Sequence, residues 1–218
     1  MPHLPYLSYL PHPPRVAVEM KAIFVTSAVD AAGFPKERLP ELALVGRSNV
    51  GKSSLINALV RQTVARTSAA PGKTRLANFY RVAPDSAPPF FLVDLPGYGY
   101  ARGGEASKRE FDTIAAAYFQ SPHSRGVLHL VDIRHPGLEP DHQAAEWLLR
   151  RAVPRAVIAT KLDKLTRSER VKNVAELERL HEGPVLAVSA HSGEGLKELW
   201  KTIDALLRQQ TPTNPKHA

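Results

Sequence analysis

The chain contains no cysteine, so disulfides, thiolate metal sites and thiol nucleophiles are all excluded. That absence suits a cytoplasmic protein, and a cytoplasmic location is our expectation. No run of 18 apolar residues occurs, so no membrane span is predicted. The first residues lack the basic start and unbroken apolar stretch of a signal peptide. They carry prolines at 2, 5, 11, 13 and 14, a density that prevents a helix or a central strand. Residues 1–20 therefore read as a Pro-rich disordered extension. Ordered-looking sequence begins at Met20, which reads as a second candidate start of translation. Residues 210–218 read as a polar, disordered tail, and no internal repeat is visible.

What remains, residues 21–209, is enough for one domain. The chain is 218 residues long and 43% apolar, which allows a real core. Lysine plus arginine outnumber aspartate plus glutamate, 29 to 21. Such a surplus suits a polyanionic partner such as RNA. It suits a solvated basic surface equally well.

One stretch organises the rest: Gly46-Arg47-Ser48-Asn49-Val50-Gly51-Lys52-Ser53. An apolar run at 42–45 precedes it and reads as a buried strand; helical apolar spacing follows to about residue 60. G-x-x-x-x-G-K-S between a strand and a helix is a phosphate-binding loop. Gly46 and Gly51 permit conformations that a Cβ would penalise. Successive N–H groups then face inward as an anion site, and the helix adds the positive end of its dipole. Lys52 supplies a charge for the β- and γ-phosphates, and Ser53 a hydroxyl for Mg²⁺.

Further candidates lie at later strand ends. Pro71-Gly72-Lys73-Thr74 follows the first helix, where a nucleotide switch places a threonine on Mg²⁺ and the γ-phosphate; the alternative is an ordinary Pro-Gly turn. Two strands, 76–82 and 90–93, are joined by so short a link that they must pair antiparallel. The second delivers Asp94-Leu95-Pro96-Gly97. Asp94 fits the carboxylate that holds magnesium's water, and Gly97 an N–H that senses the γ-phosphate. The glycine-rich residues 98–104 read as a second mobile switch or a plain turn. A helix is predicted at about 107–119, a strand at 126–132 and a helix at about 140–150. His135 reads as a loop or packing residue rather than a catalytic base. The strand 155–159 delivers Thr160-Lys161-Leu162-Asp163. A carboxylate at Asp163 accepts from guanine N1–H and N2–H₂, donors that adenine lacks there. The stem of Lys161 can lie over the base. A helix at about 168–181, a strand at 185–188 delivering Ser189-Ala190, and a helix at about 195–209 complete the pattern. The last helix puts Leu196, Leu199, Trp200, Ile203, Leu206 and Leu207 on one face, a stripe for docking on a sheet. The fold class predicted is α/β: a three-layer phosphate-loop domain, mostly parallel with one antiparallel strand, helices on both faces. Each motif sits past the C-terminal end of its strand, where such sheets bind ligands.

This order of motifs resembles the Era-like GTPases. Finer matches at Phe24 to Ala28, Gly46 to Ser54, Ala65 to Ser68, Asp94 to Ala101 and Asp132 to Pro136 resemble the EngB/YihA/YsxC family of bacterial GTPases, over about residues 21–209. The resemblance implies a Ras-like domain that binds GTP and GDP with Mg²⁺, hydrolyses GTP slowly, and acts in maturation of the large ribosomal subunit. It also implies a link to cell division and septation. By resemblance, nucleotide would contact Gly46, Arg47, Ser48, Asn49, Val50, Gly51, Lys52 and Ser53. The remaining contacts would be Gly72, Lys73, Thr74, Arg75 and Leu76, then Asp94, Leu95, Pro96 and Gly97, then Thr160, Lys161, Leu162 and Asp163, and last Ser189, Ala190 and His191. Ser53 and Thr74 would hold magnesium, and Lys52, Thr74 and Asn49 would serve the reaction.

Two departures bear on rate and affinity. Ras-like enzymes orient the attacking water with a glutamine just after the second-switch glycine; Tyr98 stands there. Asn49 lies where some relatives hold K⁺, so weak intrinsic hydrolysis stimulated by K⁺ or by the ribosomal particle is expected. Thr160 stands where many GTPases have asparagine, which predicts a looser base loop and modest affinity. We expect a monomer. Two other readings compete: an RNA- or ribosome-binding module in which hydrolysis is incidental, and a small-molecule kinase on the same loop, which T-K-L-D disfavours.

Overall fold

The computed structural model describes residues 20–66, 76–98, 104–151 and 153–208. The two terminal segments and the P-G-K-T stretch, with Gly72, Lys73, Thr74 and Arg75, lie outside the described residues. Seven strands form one sheet: β1 (Met20–Ala28), β2 (Glu41–Gly46), β3 (Ala77–Pro84), β4 (Phe90–Asp94), β5 (Ser124–Asp132), β6 (Arg155–Thr160) and β7 (Val185–Ala187). Their order across the sheet is β1-β3-β4-β2-β5-β6-β7. β3 pairs antiparallel with both its neighbours, and the remaining pairs are parallel. One strand thus runs against the other six, as the short 83–89 link requires.

Five helices cover the two faces: α1 (Lys52–Val60), α2 (Gly104–Phe119), α3 (Glu139–Leu149), α4 (Arg167–His181) and α5 (Leu196–Arg208). Strand side chains alternate between faces, and β2 shows both sides in use. Leu42 and Leu44 pack with Leu55, Ile56 and Leu59 of α1 and with Leu199, Ile203 and Leu206 of α5. Ala43 and Val45 pack with Phe111, Ile114 and Tyr118 of α2 and with Leu148 of α3. All six residues of β2 are buried, which is why it reads as an unbroken apolar run rather than an alternation. Each fully buried leucine or isoleucine here is worth about 1.5–3 kcal/mol.

Helix ends follow local chemistry. Thr166 accepts from the Glu169 N–H while Glu169 bonds back to the Thr166 N–H, a capping box that starts α4. Pro140 and the acids Glu139 and Asp141 occupy the first turn of α3, where a missing N–H and negative charge are both favourable. α2 begins at Gly104, three residues before the periodicity predicts. Apolar spacing cannot mark a first turn whose residues, Gly104 to Ser107, include no large apolar side chain, and the unpaired N–H groups of a helix start tolerate glycine.

Candidate functional site

The parallel register brings several strand ends to one level. Leu44 of β2 lies beside Asp94 of β4, Gly46 beside Leu130 of β5, Asp132 beside Thr160 of β6, and Ala159 beside Ala187 of β7. The described sequence candidates at 46–53, 94–97, 160–163 and 189–191 therefore share one end of the sheet. Leu76 is half-buried just before β3.

The phosphate loop needs its glycines for two different reasons. A Cβ on Gly46 would sit 2.8 Å from the Leu130 carbonyl oxygen and from Val50 Cγ1, so close packing excludes it. Gly51 has φ 111° and caps α1, a left-handed conformation that favours glycine. Asn49 also takes positive φ, 62°, which asparagine tolerates better than most residues. Lys52 is buried and its Nζ donates to the carbonyls of Gly46 at 3.1 Å and Arg47 at 3.4 Å. Burial pushes the Lys52 ammonium down and the Asp94 carboxyl up, and their mutual attraction resists both shifts. Ser53 Oγ donates to Asp94 Oδ2 at 3.3 Å, while Asp94 Oδ1 is buried with no partner among the described residues. A hydroxyl beside a half-paired buried carboxylate suits a hydrated hard cation: the hydroxyl as ligand, the free oxygen as acceptor for a bound water. Among the described residues no group of three or more His, Asp or Glu could hold a metal alone.

Three candidates turn their side chains inward. Val50, Leu95 and Leu162 are 3%, 0% and 5% exposed, so ligand contacts there fall to the backbone. Gly97 packs so tightly that a Cβ would lie 2.7 Å from the Ser48 nitrogen.

The base loop is tied to the phosphate loop at two points. Thr160 Oγ1 lies 2.7 Å from the Val50 carbonyl oxygen, and Lys161 Nζ donates to the Asn49 carbonyl at 2.7 Å. The looser base loop expected of a threonine at 160 is corrected in one respect: its hydroxyl lies within hydrogen-bond distance of the Val50 and Val131 carbonyls and so ties the loop itself. Lys161 also pairs with Asp132 Oδ2 at 2.8 Å, and Arg134 grips both oxygens of the same carboxylate at 2.9 and 2.7 Å. Although burial opposes it, these bonds hold Asp132 down at about 2. Ser189 Oγ donates to Asp163 Oδ1 at 2.8 Å and accepts from the N–H groups of His191 and Ser192. The Ser189 bond keeps the Asp163 carboxyl below its usual range, so it is an acceptor at neutral pH. Ala190 is half-buried and His191 exposed beside it.

Sequence reasoning named Ser189 only as a nucleotide contact, with no part in holding Asp163, and gave Asp132 no role in the site. An aspartate ending a strand next to the base-loop strand was the available signal for the latter. His135 is exposed in a loop, its N–H on the Asp132 carbonyl, as expected of a loop residue. The Tyr98 side chain turns away from the phosphate loop, with its hydroxyl on Asp141 and His129.

Comparison with known proteins agrees with this geometry. Residues 41–161 match the family model for 50S ribosome-binding GTPases. The "Probable GTP-binding protein EngB" of Heliobacterium modesticaldum is 43% identical over 190 residues, covering 84% of this chain and 91% of that one. The protein of the same name from Geobacter sp. strain M21 is 42% identical over 197 residues, covering 88% and 90%. Among solved structures, Era bound to MgGDPNP and 16S rRNA nucleotides 1506–1542 superposes with a TM-score of 0.69 at 23% identity. That match covers 83% of this chain but 61% of the Era chain. A structure named as that of a "probable GTP-binding protein engB" superposes with a TM-score of 0.61 at 24% identity, over 77% of this chain and 98% of that one.

Proposed function

The chain belongs to the EngB family of P-loop GTPases, and from there we propose that it is a switch in large ribosomal subunit assembly, set by bound GTP or GDP. One observation carries the nucleotide part. The loop after β2 is bonded on one side to Asp94 through Ser53, and on the other to the base loop through Thr160 and Lys161. A phosphate cradle and a carboxylate suited to guanine are thereby held at a fixed spacing.

In this reading the N–H groups of 46–53 and Lys52 hold the phosphates, and the Gly97 N–H meets the γ-phosphate. Asp163 reads the guanine edge, and the backbone of 189–191 meets the base oxygen. Ser53, together with Thr74, would hold magnesium, and Asp94 Oδ1 would accept from its water. Bound there, magnesium would neutralise charge that builds on the phosphate oxygens. Asn49 would favour K⁺ near the transferring phosphate. Tyr98, facing inward, leaves the attacking water without a glutamine, so hydrolysis is slow until the particle or K⁺ assists.

The ribosomal role is supported by the family description and by the basic surplus of the chain. No described helix is long and apolar enough to cross a membrane; we place the protein in the cytoplasm as a monomer, with residues 21–209 as its working domain and a link to cell division and septation. Asp163→Asn tests the switch against a passive RNA-binding module. Co-sedimentation with large-subunit precursors should differ between GTP and GDP for the wild type and lose that difference in the variant. Nucleotide-independent binding by both would favour the module. Equal hydrolysis rates in Na⁺ and K⁺, with and without particles, would sink the stimulation.

A further inference from the structure

The residue after Gly97 enters a buried polar network that the nucleotide chemistry does not use. The Tyr98 carbonyl accepts from the Ser48 N–H at 3.2 Å, and residues 47 and 98 form a parallel bridge. The second nucleotide-sensing loop is therefore laid along the phosphate loop. The Tyr98 ring runs into the space between β5 and the α2–α3 side of the sheet, 5.8 Å from the Phe111 ring. Its hydroxyl lies 2.8 Å from His129 Nε2 and 2.9 Å from Asp141 Oδ1.

The proton arrangement follows from the surroundings. His129 is fully buried; burial, reinforced by the nearby His181 and Arg155, pulls it down to about 3. It is a neutral imidazole. The phenol has one proton, and burial keeps it there. Asp141 is pushed up to about 6 by burial, so above that pH it is an acceptor only. Tyr98 then donates to Asp141 and accepts from His129 Nε2–H. This leaves His129 Nδ1 as a bare lone pair, in keeping with its lack of any partner. The opposite tautomer would bury an unpaired N–H and leave two acceptors competing for one proton.

We propose that Asp141 and His129 are positioning residues for GTP recognition: by holding Tyr98 they fix Gly97 against the phosphate loop in the place where its N–H meets the γ-phosphate. The first turn of α3 is thereby coupled to nucleotide state, since any displacement of Gly97 must pull on the Tyr98–Asp141 bond. A loop already held costs less ordering when the ligand arrives. GDP has no γ-phosphate and draws no benefit from the device. The inference rests on the assignment of Gly97 as γ-phosphate sensor, and the experiment separates the two.

GDP and a non-hydrolysable GTP analogue are titrated against the full chain in wild type, Tyr98→Phe, Asp141→Ala, Asp141→Asn and Gly97→Ala. Tyr98→Phe and Asp141→Ala should keep GDP affinity within about twofold and lose about tenfold for the GTP analogue. Asp141→Asn, whose amide oxygen can still accept from Tyr98, should recover most of that loss. Retained GDP binding also reports that each variant is folded; if Asp141→Ala fails to fold, Tyr98→Phe decides. Equal losses for both nucleotides, or an unchanged preference, would overturn the positioning role. If Gly97→Ala leaves the preference unmoved, the sensor assignment fails; if only Gly97→Ala moves it, the Tyr98 anchor fails.

Discussion

On the base side of the site, the charged groups are already partnered. Asp163 has Ser189, Asp132 has Arg134 and Lys161, and Lys161 also reaches the Asn49 carbonyl. On the phosphate side, Lys52 rests on two backbone carbonyls, and one oxygen of buried Asp94 has no partner among the described residues. In the proposed reading the base pocket is built in advance, and guanine would meet an Asp163 carboxylate already oriented by Ser189. The phosphate side holds a buried ammonium and carboxylate, whose better partners would come with the proposed ligand. On that proposal, specificity would belong to the already partnered side and most of the affinity to the side with unmet electrostatic demand.

This contrast can be broken at four points. Lys52→Ala should have the largest effect, costing about 3 kcal/mol of GDP binding, or about 150-fold, measured by calorimetry. A loss under about fivefold would mean that Lys52 stays on its own loop. Next is acid stability. Asp132 is held below its unfolded value, so its contribution is complete above about pH 4 and fades as pH falls through about 2, a change of about 2 kcal/mol. Asp132→Asn should flatten that part of the unfolding-versus-pH curve; an unchanged slope would show the pair to be idle. Ser189→Ala should weaken GDP by about tenfold, through the loss of one bond to a charged group worth about 1.5 kcal/mol. It should leave phosphate-side behaviour, such as magnesium dependence, unaltered. Smallest, Thr160→Val leaves the Val50 carbonyl short of a donor and should lower the unfolding free energy by about 1 kcal/mol in chemical denaturation. A loss of GDP affinity beyond that would raise the importance of the tie between the loops.

Local pattern reveals the elements because each is a local matter. The apolar run 42–45, the stripe at 196–207 and the strand-end aspartate at 94 are visible within windows of a dozen residues, and the structure places them as read. The ties that shape the site are not local. Thr160 meets Val50 across 110 positions and Lys161 meets Asn49 across 112. Nothing near Thr160 announces a carbonyl so far upstream, and so its hydroxyl was undervalued against an amide. The inward turn of Tyr98 escaped for the same reason: its partners Asp141 and His129 come from a later helix and strand. Its neighbours Gly97 and Gly99 suggested freedom, whereas Gly97 is pressed against Ser48.

The strand that carries the phosphate loop is fourth of seven across the sheet. Its amides can exchange with solvent only after three layers of pairing on either side have let go, or the whole domain has opened. β1, by contrast, sits at a margin with Ile23, Phe24 and Val25 more than two-fifths exposed. Deuterium should therefore enter at 20–28 long before 42–45, whether or not nucleotide is present. The cradle should stay assembled through the everyday fraying of the molecule, and on the proposed function turnover of nucleotide would fall to the loops above the sheet rather than to the sheet itself.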